Sequence, residues 1–320
     1  MSTESHRLVV GKRSVQGGTV VVLDLHSADG GALPAFEAGA HIDLHLAPDL
    51  VRQYSLCGDP ADTGRYRLGV LRDPASRGGS AAVFDTLGEG TLITIGTPRN
   101  HFPLAADAQH SLLVGGGIGV TPMIAMAHAL TAAGRSFELH YCARSAGSSA
   151  FLEELANAPF AAHVHLHFDD GGEAAKLPLA ALLAAAGTAG THLYVCGPAG
   201  FMEWVIGSGE KAGLPAGQIH REYFSAEIDT SGAGFEVVAA ASGKTVRVAE
   251  GQSIVAALKS IGIKVDVSCE EGVCGTCVCT VLEGECDHRD VYLTDEEKAD
   301  DDQIMTCCSR AKSARLVLDI

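Results

Sequence analysis

Apolar and polar residues alternate through the first hundred positions with a period close to two. Val20-Val-Val-Leu-Asp-Leu25, Ile42-Asp-Leu-His-Leu46, Tyr66-Arg-Leu-Gly-Val-Leu71 and Leu92-Ile-Thr-Ile95 are such runs, separated by Gly, Asp and Pro turns. That period puts successive side chains on opposite faces of a strand. Short strands at this spacing predict a small antiparallel barrel over residues 1–105. Inside it, Arg52-Gln53-Tyr54-Ser55-Leu56 reads as a strand with Arg52, Tyr54 and Leu56 on one face and Gln53 and Ser55 on the other. Further on, Arg77-Gly78-Gly79-Ser80 precedes a short helical pattern, Ala81 to Leu87.

The pattern changes near residue 106 to strands alternating with helices, which predicts a parallel α/β domain over 106–226. Ser111-Leu-Leu-Val114 runs into a turn with glycines at Gly115, Gly116, Gly117 and Gly119, followed by Val120, Thr121 and Pro122. Met123 to Ala133 then reads as a helix with Ile124, Ala127 and Leu130 on one face. Thr121 suits its N-cap and Pro122 its first position. Further strands are expected at Phe137–Cys142, Val164–Phe168 and His192–Cys196. The polar, glycine-rich stretch 227–234 reads as a linker. Beyond it, 235–320 holds strand candidates at 235–238, 245–248 and 316–320, and a short helix from Ser253 to Ser260 with Ser253 as its cap.

Cysteine spacing changes the picture most. Cys269, Cys274 and Cys277 form Cys-x4-Cys-x2-Cys, and a fourth cysteine, Cys307, follows after 29 intervening residues. This is the plant-type spacing for four thiolates around a [2Fe–2S] cluster. Structural zinc sites usually come as two short knuckles instead. Cys308 is adjacent, so the fourth position is not fully determined; spacing selects Cys307. Gly272 and Gly275 supply the backbone freedom that a loop around two irons needs.

The 320 residues carry 23 basic and 39 acidic side chains, a net charge of −16, which argues against nucleic acid as a partner. Residues 283–302 hold ten of the acids and two bases. They are read equally as a docking face for a basic partner or as a solvated surface. No apolar run reaches the roughly 18–20 residues of a membrane span, and Met1-Ser-Thr-Glu-Ser-His-Arg-Leu8 lacks a leader's apolar core. Free thiols and a cluster fit a reducing compartment. A cytoplasmic protein, with no membrane partner, is expected.

The candidate sites fit a chemical series. Arg52 is suited to a phosphate and Tyr54 to a flat ring, while Gly78, Gly79 and Ser80 before a helix make a phosphate cradle. The Gly115–Pro122 turn suits a pyrophosphate, although Val120 stands where the strict dinucleotide fingerprint has its third glycine. Cys196-Gly197-Pro198 ends a strand where open α/β sheets place ligands, and Cys196 reads equally as a buried small side chain. A pyridine nucleotide gives two electrons as hydride, a cluster accepts one, and a flavin mediates between them.

Arg52-x-Tyr54-Ser55, Gly78-Gly79-Ser80, Gly115-Gly-Gly-Ile-Gly-Val-Thr-Pro122, Cys196-Gly-Pro198 and the C-terminal cysteine pattern together resemble the phthalate dioxygenase reductase family across the whole chain. Leu282-Glu-Gly-Glu-Cys-Asp-His-Arg-Asp-Val-Tyr-Leu-Thr294 and Thr306-Cys-Cys-Ser-Arg-Ala-Lys-Ser313 look like its vanillate O-demethylase reductase branch. The resemblance implies FMN, NADH as donor, a C-terminal α+β domain of β-grasp ferredoxin type, and a separate Rieske-type oxygenase as electron acceptor. A monomer is expected. By position, Arg52 and Ser80 would hold the flavin phosphate, and Tyr54, Ser55, Val70 and Leu71 would line the isoalloxazine. Thr121 and Cys196 would face the nicotinamide, and Phe224 would close over the flavin. Ser55, Thr121 and Cys196 are thus the expected catalytic residues. Ser76 departs from the glycine common in the family there, and Cys279, Cys286 and Cys308 are extra thiols, expected to be small buried side chains. Arg144-Ser145, after the second α/β strand, lies where a 2′-phosphate would sit; that pair could favour NADPH, against the NADH that the resemblance implies, and NADH is the donor expected. The alternatives are the reductase of a haem-thiolate monooxygenase and a stand-alone NAD(P)H flavin or quinone reductase.

Overall fold

A computed structural model describes residues 5–226 and 228–320. Met1 to Glu4, read above for a leader, and Glu227, at the head of the expected linker, lie outside the described residues. The chain divides into two compact units, Met1–Glu222 and Tyr223–Ile320.

The first unit opens with an antiparallel sheet of seven strands: β1 (Ser5–Gln16), β2 (Val20–Ser27), β3 (Ala40–Ala47), β4 (Leu50–Ser55), β5 (Tyr66–Leu71), β6 (Leu92–Gly96) and β7 (Arg99–Asn100). Their order is β4-β3-β6-β1-β2-β5, with β7 beside β3. A bridge between Leu56, just past β4, and Leu68 of β5 brings the two ends together, so the sheet is a barrel. β1 escapes the alternation argument because only Leu8 and Val10 are buried along its twelve residues. Its register also slips between Val10 and Lys12, and Gly11 in that bulge touches the His26 ring so closely that a Cβ would lie 2.4 Å from it.

A five-stranded parallel sheet follows in the same unit: β8 (His110–Gly116), β9 (Ser136–Ala143), β10 (Val164–Phe168), β11 (Thr191–Cys196) and β12 (Ile219–Glu222), in the order β10-β9-β8-β11-β12. The order reverses between β8 and β11, which is where such sheets bind ligands. Helices α2 (Val120–Ala132), α3 (Leu152–Asn157), α4 (Leu179–Ala186) and α5 (Ala199–Lys211) connect the strands, and α1 (Gly79–Thr86) belongs to the barrel. One apolar core runs through barrel and sheet, from Leu8 and Leu44 to Met123, Phe151 and Tyr194. Phe151 holds the junction: its N–H donates to Gln16 Oε1 at 2.6 Å, and its ring fills the space a Cβ on Gly69 would take.

The second unit carries β13 (Phe235–Ala239), β14 (Lys244–Val248), β15 (Val278–Glu283), β16 (Cys286–Asp287), β17 (Gln303–Met305), β18 (Arg310–Ala311) and β19 (Arg315–Leu318), with α6 (Ile254–Ser260) and α7 (Asp295–Asp300). The main sheet runs β14-β13-β19-β15-β17, and its central pair β13/β19 is parallel. α6 packs Ile254, Ala257 and Leu258 against it, which is the β-grasp arrangement. Ser253 caps α6 by accepting the Ala256 N–H, as the sequence indicated.

The linker expectation needs correction. Arg289 Nη1 donates to the carbonyls of Asp229 and Ser231 at 2.5 and 2.8 Å, and Arg310 Nη2 to those of Gly232 and Ala233 at 3.4 and 3.2 Å. Residues 229–233 are therefore fastened to the second unit, through backbone acceptors that composition does not reveal.

Candidate functional site

The barrel brings Arg52 to the start of α1. Arg52 lies directly over Gly79, where a Cβ would come within 2.5 Å of its side chain. Its guanidinium donates to the carbonyls of Val51 and Arg77 at 2.7 and 3.2 Å. Gly78, at φ +90°, is the N-cap of α1, which begins two residues earlier than the apolar pattern indicated. Ser80 is buried, and its Oγ accepts the Asp73 N–H at 3.1 Å. Arg52, Gly78, Gly79 and Ser80 thus lie together at the start of α1. Beside them Tyr54 is packed against the core, and burial raises its hydroxyl well above the ordinary 10. Among the described residues, Gln53 Nε2 is buried with no hydrogen-bond partner, a donor suited to a ring carbonyl. Val70 is buried and Leu71 is 38% exposed. The two alternate across β5, so only one of these side chains can present itself to a given ring.

The four glycines of the next turn have distinct reasons. A Cβ on Gly115 would strike Val120, on Gly116 the Phe201 ring, and on Gly119 the carbonyl oxygen of Cys196 at 2.3 Å. Gly117, at φ +55°, meets nothing within 4 Å. Gly117 alone faces open space, where a phosphate can approach. Gly197 in turn packs against Gly116, and Pro198 caps α5, so the β8 and β11 turns interlock at the switch point. The expected cap is corrected: a 3-10 turn, Gly117–Gly119, runs straight into α2, Gly119 is the N-cap and Thr121 lies inside the helix. The Thr121 hydroxyl donates to the Ile118 carbonyl at 2.9 Å, while its methyl points at Gly69 of the barrel. Arg144 follows β9, with its carbonyl accepting from Asp170. Gly119→Ala is expected to cost about 1–3 kcal/mol, the usual range for overpacking. It should also raise the KM for NADH at least tenfold while flavin content stays normal, checked by thermal unfolding and nucleotide titration.

Ser55, Cys196 and a residue the sequence reading passed over, Glu222, meet between barrel and sheet. Cys196 and Glu222 are register partners on β11 and β12, and Ser55 Oγ donates to Glu222 Oε2 at 3.3 Å. Burial raises the Glu222 carboxyl from the ordinary 4.5 to about 8, against the opposing hydrogen bond from Ser55. Burial also raises the Cys196 thiol, with the Glu222 carboxyl adding to it. No motif marks Glu222; only its place on β12, beside Cys196, could have found it. Phe224 belongs to the second unit and is 40% exposed.

In the second unit, Cys269, Cys274, Cys277 and Cys307 are buried, and their thiols touch in a chain: Cys274 and Cys307 on Cys269, and Cys277 on Cys307. The Cys274 and Cys307 contacts and the Glu271 and Val273 amides lower the Cys269 thiol far below its ordinary value. Among the described residues no cysteine is in a disulfide. Gly272 and Gly275 have φ of +70° and +74°, and a Cβ there would collide with Cys308 Sγ at 2.5 Å and the Tyr292 ring at 2.4 Å. Thr306 donates through Oγ1 to the Cys277 carbonyl at 2.7 Å, tying the Cys307 segment to the loop. The adjacent Cys308 touches Cys307, but its Sγ also lies against Gly272, Met305 and Ser309. Cys279 and Cys286 sit in the apolar core under the sheet, and burial raises their thiols to about 11 and 12. The acidic run is partly used up inside the unit: Asp287 pairs with Arg289, Asp290 accepts from Leu293, Glu297 completes the cap of α7, and Asp301 accepts from Cys286.

These elements match known domains. Residues 113–206 match the oxidoreductase NAD-binding domain, and residues 238–312 match the 2Fe-2S iron-sulfur cluster binding domain. Together they define a pyridine-nucleotide oxidoreductase with an iron–sulfur domain. The chain is 50% identical over 303 residues to a vanillate O-demethylase oxidoreductase of a Pseudomonas species, covering 94% of this chain and 95% of that one. It aligns with the solved phthalate dioxygenase reductase at 36% identity and a TM-score of 0.76, covering 99% and 98% of the two chains. It also aligns with a self-sufficient cytochrome P-450 monooxygenase at 38% identity and a TM-score of 0.86, covering 99% of this chain and 41% of that longer one. The chain belongs to the phthalate dioxygenase reductase family.

Among the described residues, no helix is long and apolar enough to cross a membrane.

Proposed function

We propose that this chain is the reductase component of a two-component Rieske-type oxygenase, working as a monomer in the cytoplasm. It takes electrons from NADH and delivers them to a separate oxygenase. The observation that carries this reading is the end-to-end match with a vanillate O-demethylase oxidoreductase, which covers nearly the whole of both chains. The two-unit architecture supports it. A flavin supplies the step between two-electron and one-electron chemistry. Its residues here would be Arg52, Gly78, Gly79 and Ser80 for the phosphate of FMN, with Tyr54 and Gln53 beside the ring. Gly115–Pro122 and Cys196–Pro198 would hold the nucleotide, with Arg144 after β9 as the residue for its ribose end. Cys269, Cys274, Cys277 and Cys307 are the cluster ligands. Ser55, Thr121, Cys196 and Glu222 border the place where hydride moves.

The test is an anaerobic titration followed by visible absorbance. NADH should bleach both chromophores at about one and a half equivalents per chain, two electrons for the flavin and one for the cluster, and NADPH should do so far less effectively. The reduced protein should then support substrate turnover by a purified Rieske oxygenase. Delivery to a haem-thiolate monooxygenase alone, or quinone reduction that a Cys274→Ser variant leaves unchanged, would overturn the assignment of partner.

A further inference from the structure

A cluster of imidazoles lies on the parallel sheet away from the turns that hold the nucleotide. β9 and β10 pair with His140 opposite His165 and Cys142 opposite His167. Glu138, His140, His165 and His167 therefore share one face of the sheet. The ring of His140 stacks on those of His165 and His167, with centroids 4.8 and 5.3 Å apart. One ligand atom each from Glu138, His140 and His165 falls within 4.8 Å of the other two. His140 is buried, His165 is exposed and the Glu138 side chain is 39% exposed, so the group is reachable from solvent.

Two contacts frame the His140 ring. Its Nδ1 lies 3.0 Å from His167 Nε2, and with the His140 proton on that side a lone pair is left on Nε2. That nitrogen lies 3.3 Å from Glu138 Oε2, and a carboxylate is an acceptor. Two acceptors face each other with His165 alongside, an arrangement that a cation reconciles.

We propose that Glu138, His140 and His165 bind a divalent transition-metal ion of the zinc class. Two imidazoles and one carboxylate are a zinc donor set, and a water would complete a tetrahedron. His167 is a positioning residue: by accepting from His140 Nδ1 it orients the ligating ring. The ion clips β10, an edge strand, to β9.

The test uses untagged full-length protein loaded with flavin and cluster, titrated with Zn2+ against a chromophoric chelator. One equivalent is expected to bind. His165→Ala should weaken binding more than tenfold. His167→Ala should weaken it about 10–100-fold, the usual cost of losing the partner that orients a ligand. Zinc should raise the thermal midpoint of the wild type and not that of His165→Ala, and NADH-dependent dye reduction should be equal in both. The proposal is overturned if the wild type binds no zinc, or if His165→Ala and Glu138→Gln both bind it like the wild type. It is also overturned if zinc survives His165→Ala but is lost in Cys286→Ser, because Cys286, His288 and Asp301 form a second cluster of ligand type.

Discussion

Cys307→Ser is expected to abolish NADH-driven reduction of one-electron protein acceptors, whereas Cys308→Ser should leave it within about twofold of the wild type. The two residues are neighbours, yet their surroundings differ. Cys307 touches Cys269 and Cys277 inside the loop, and Thr306 ties its segment to the Cys277 carbonyl. Cys308 has its sulfur against Gly272 and beside the Met305 carbonyl and the Ser309 hydroxyl. Replacing Cys307 removes one of four thiolates from a cluster that takes its ligands from cysteine sulfur. The purified Cys307→Ser protein should lose its iron and the visible absorbance of the cluster. Its reduction of ferricyanide by NADH, which needs only the first unit, should persist. If Cys308→Ser loses the cluster and Cys307→Ser retains it, the ligand assignment is wrong.

The second large effect concerns Glu222. Its carboxyl, raised to about 8 by burial, is neutral at physiological pH. A neutral acid can give its proton to Ser55 Oγ, and the Ser55 O–H then remains available to a bound acceptor. Above pH 8 the carboxylate takes the Ser55 proton for itself. The rate constant for hydride transfer should therefore fall as pH rises through about 8. Glu222→Gln keeps a donor toward Ser55 without a titration, so its profile should be flat across this range and close to the wild-type rate at pH 7. Glu222→Ala should lower the rate about 10²-fold, the typical cost of removing one hydrogen-bond donor from an active site. Stopped-flow measurement of flavin bleaching checks all three, and an unchanged profile in Glu222→Gln would sink the assignment. Stability has a matching sign. The folded-state pKa is raised, so the contribution is full below 4.5 and is lost as pH climbs to about 8, by at most about 1.4 kcal/mol per pH unit.

Much of this was legible along the chain because it depends on local constraints. Cysteine spacing is set by what a short loop can wrap, and the glycines at 115, 116, 117 and 119 stand where a side chain would collide or where φ is positive. Strands β3, β5 and β6 declared themselves because alternation follows from burying one face, and β2 as an apolar run buried on both faces from Val20 to Leu25. β1 did not, since a bulge at Gly11 and a largely solvated surface break the period. The cap of α2 was misplaced because Thr121 and Pro122 suit a helix start, but the preceding glycines already turn as a 3-10 helix and the start moves upstream.

What the sequence determined by itself is the set of chemistries: the four spaced thiols, the glycine turn for a nucleotide and the arginine strand for a phosphate, each encoded within a few residues. The tertiary structure decided which groups meet. Ser55, Cys196 and Glu222 are separated by up to 167 positions and converge because the sheet places β12 next to β11 with the barrel packed against them. The same packing around Glu222 changes its acidity, and the backbone carbonyls of 229–233 become acceptors only once Arg289 and Arg310 are folded beside them. Long-range contacts and desolvation depend on distances in space, and distance along the chain does not carry that information.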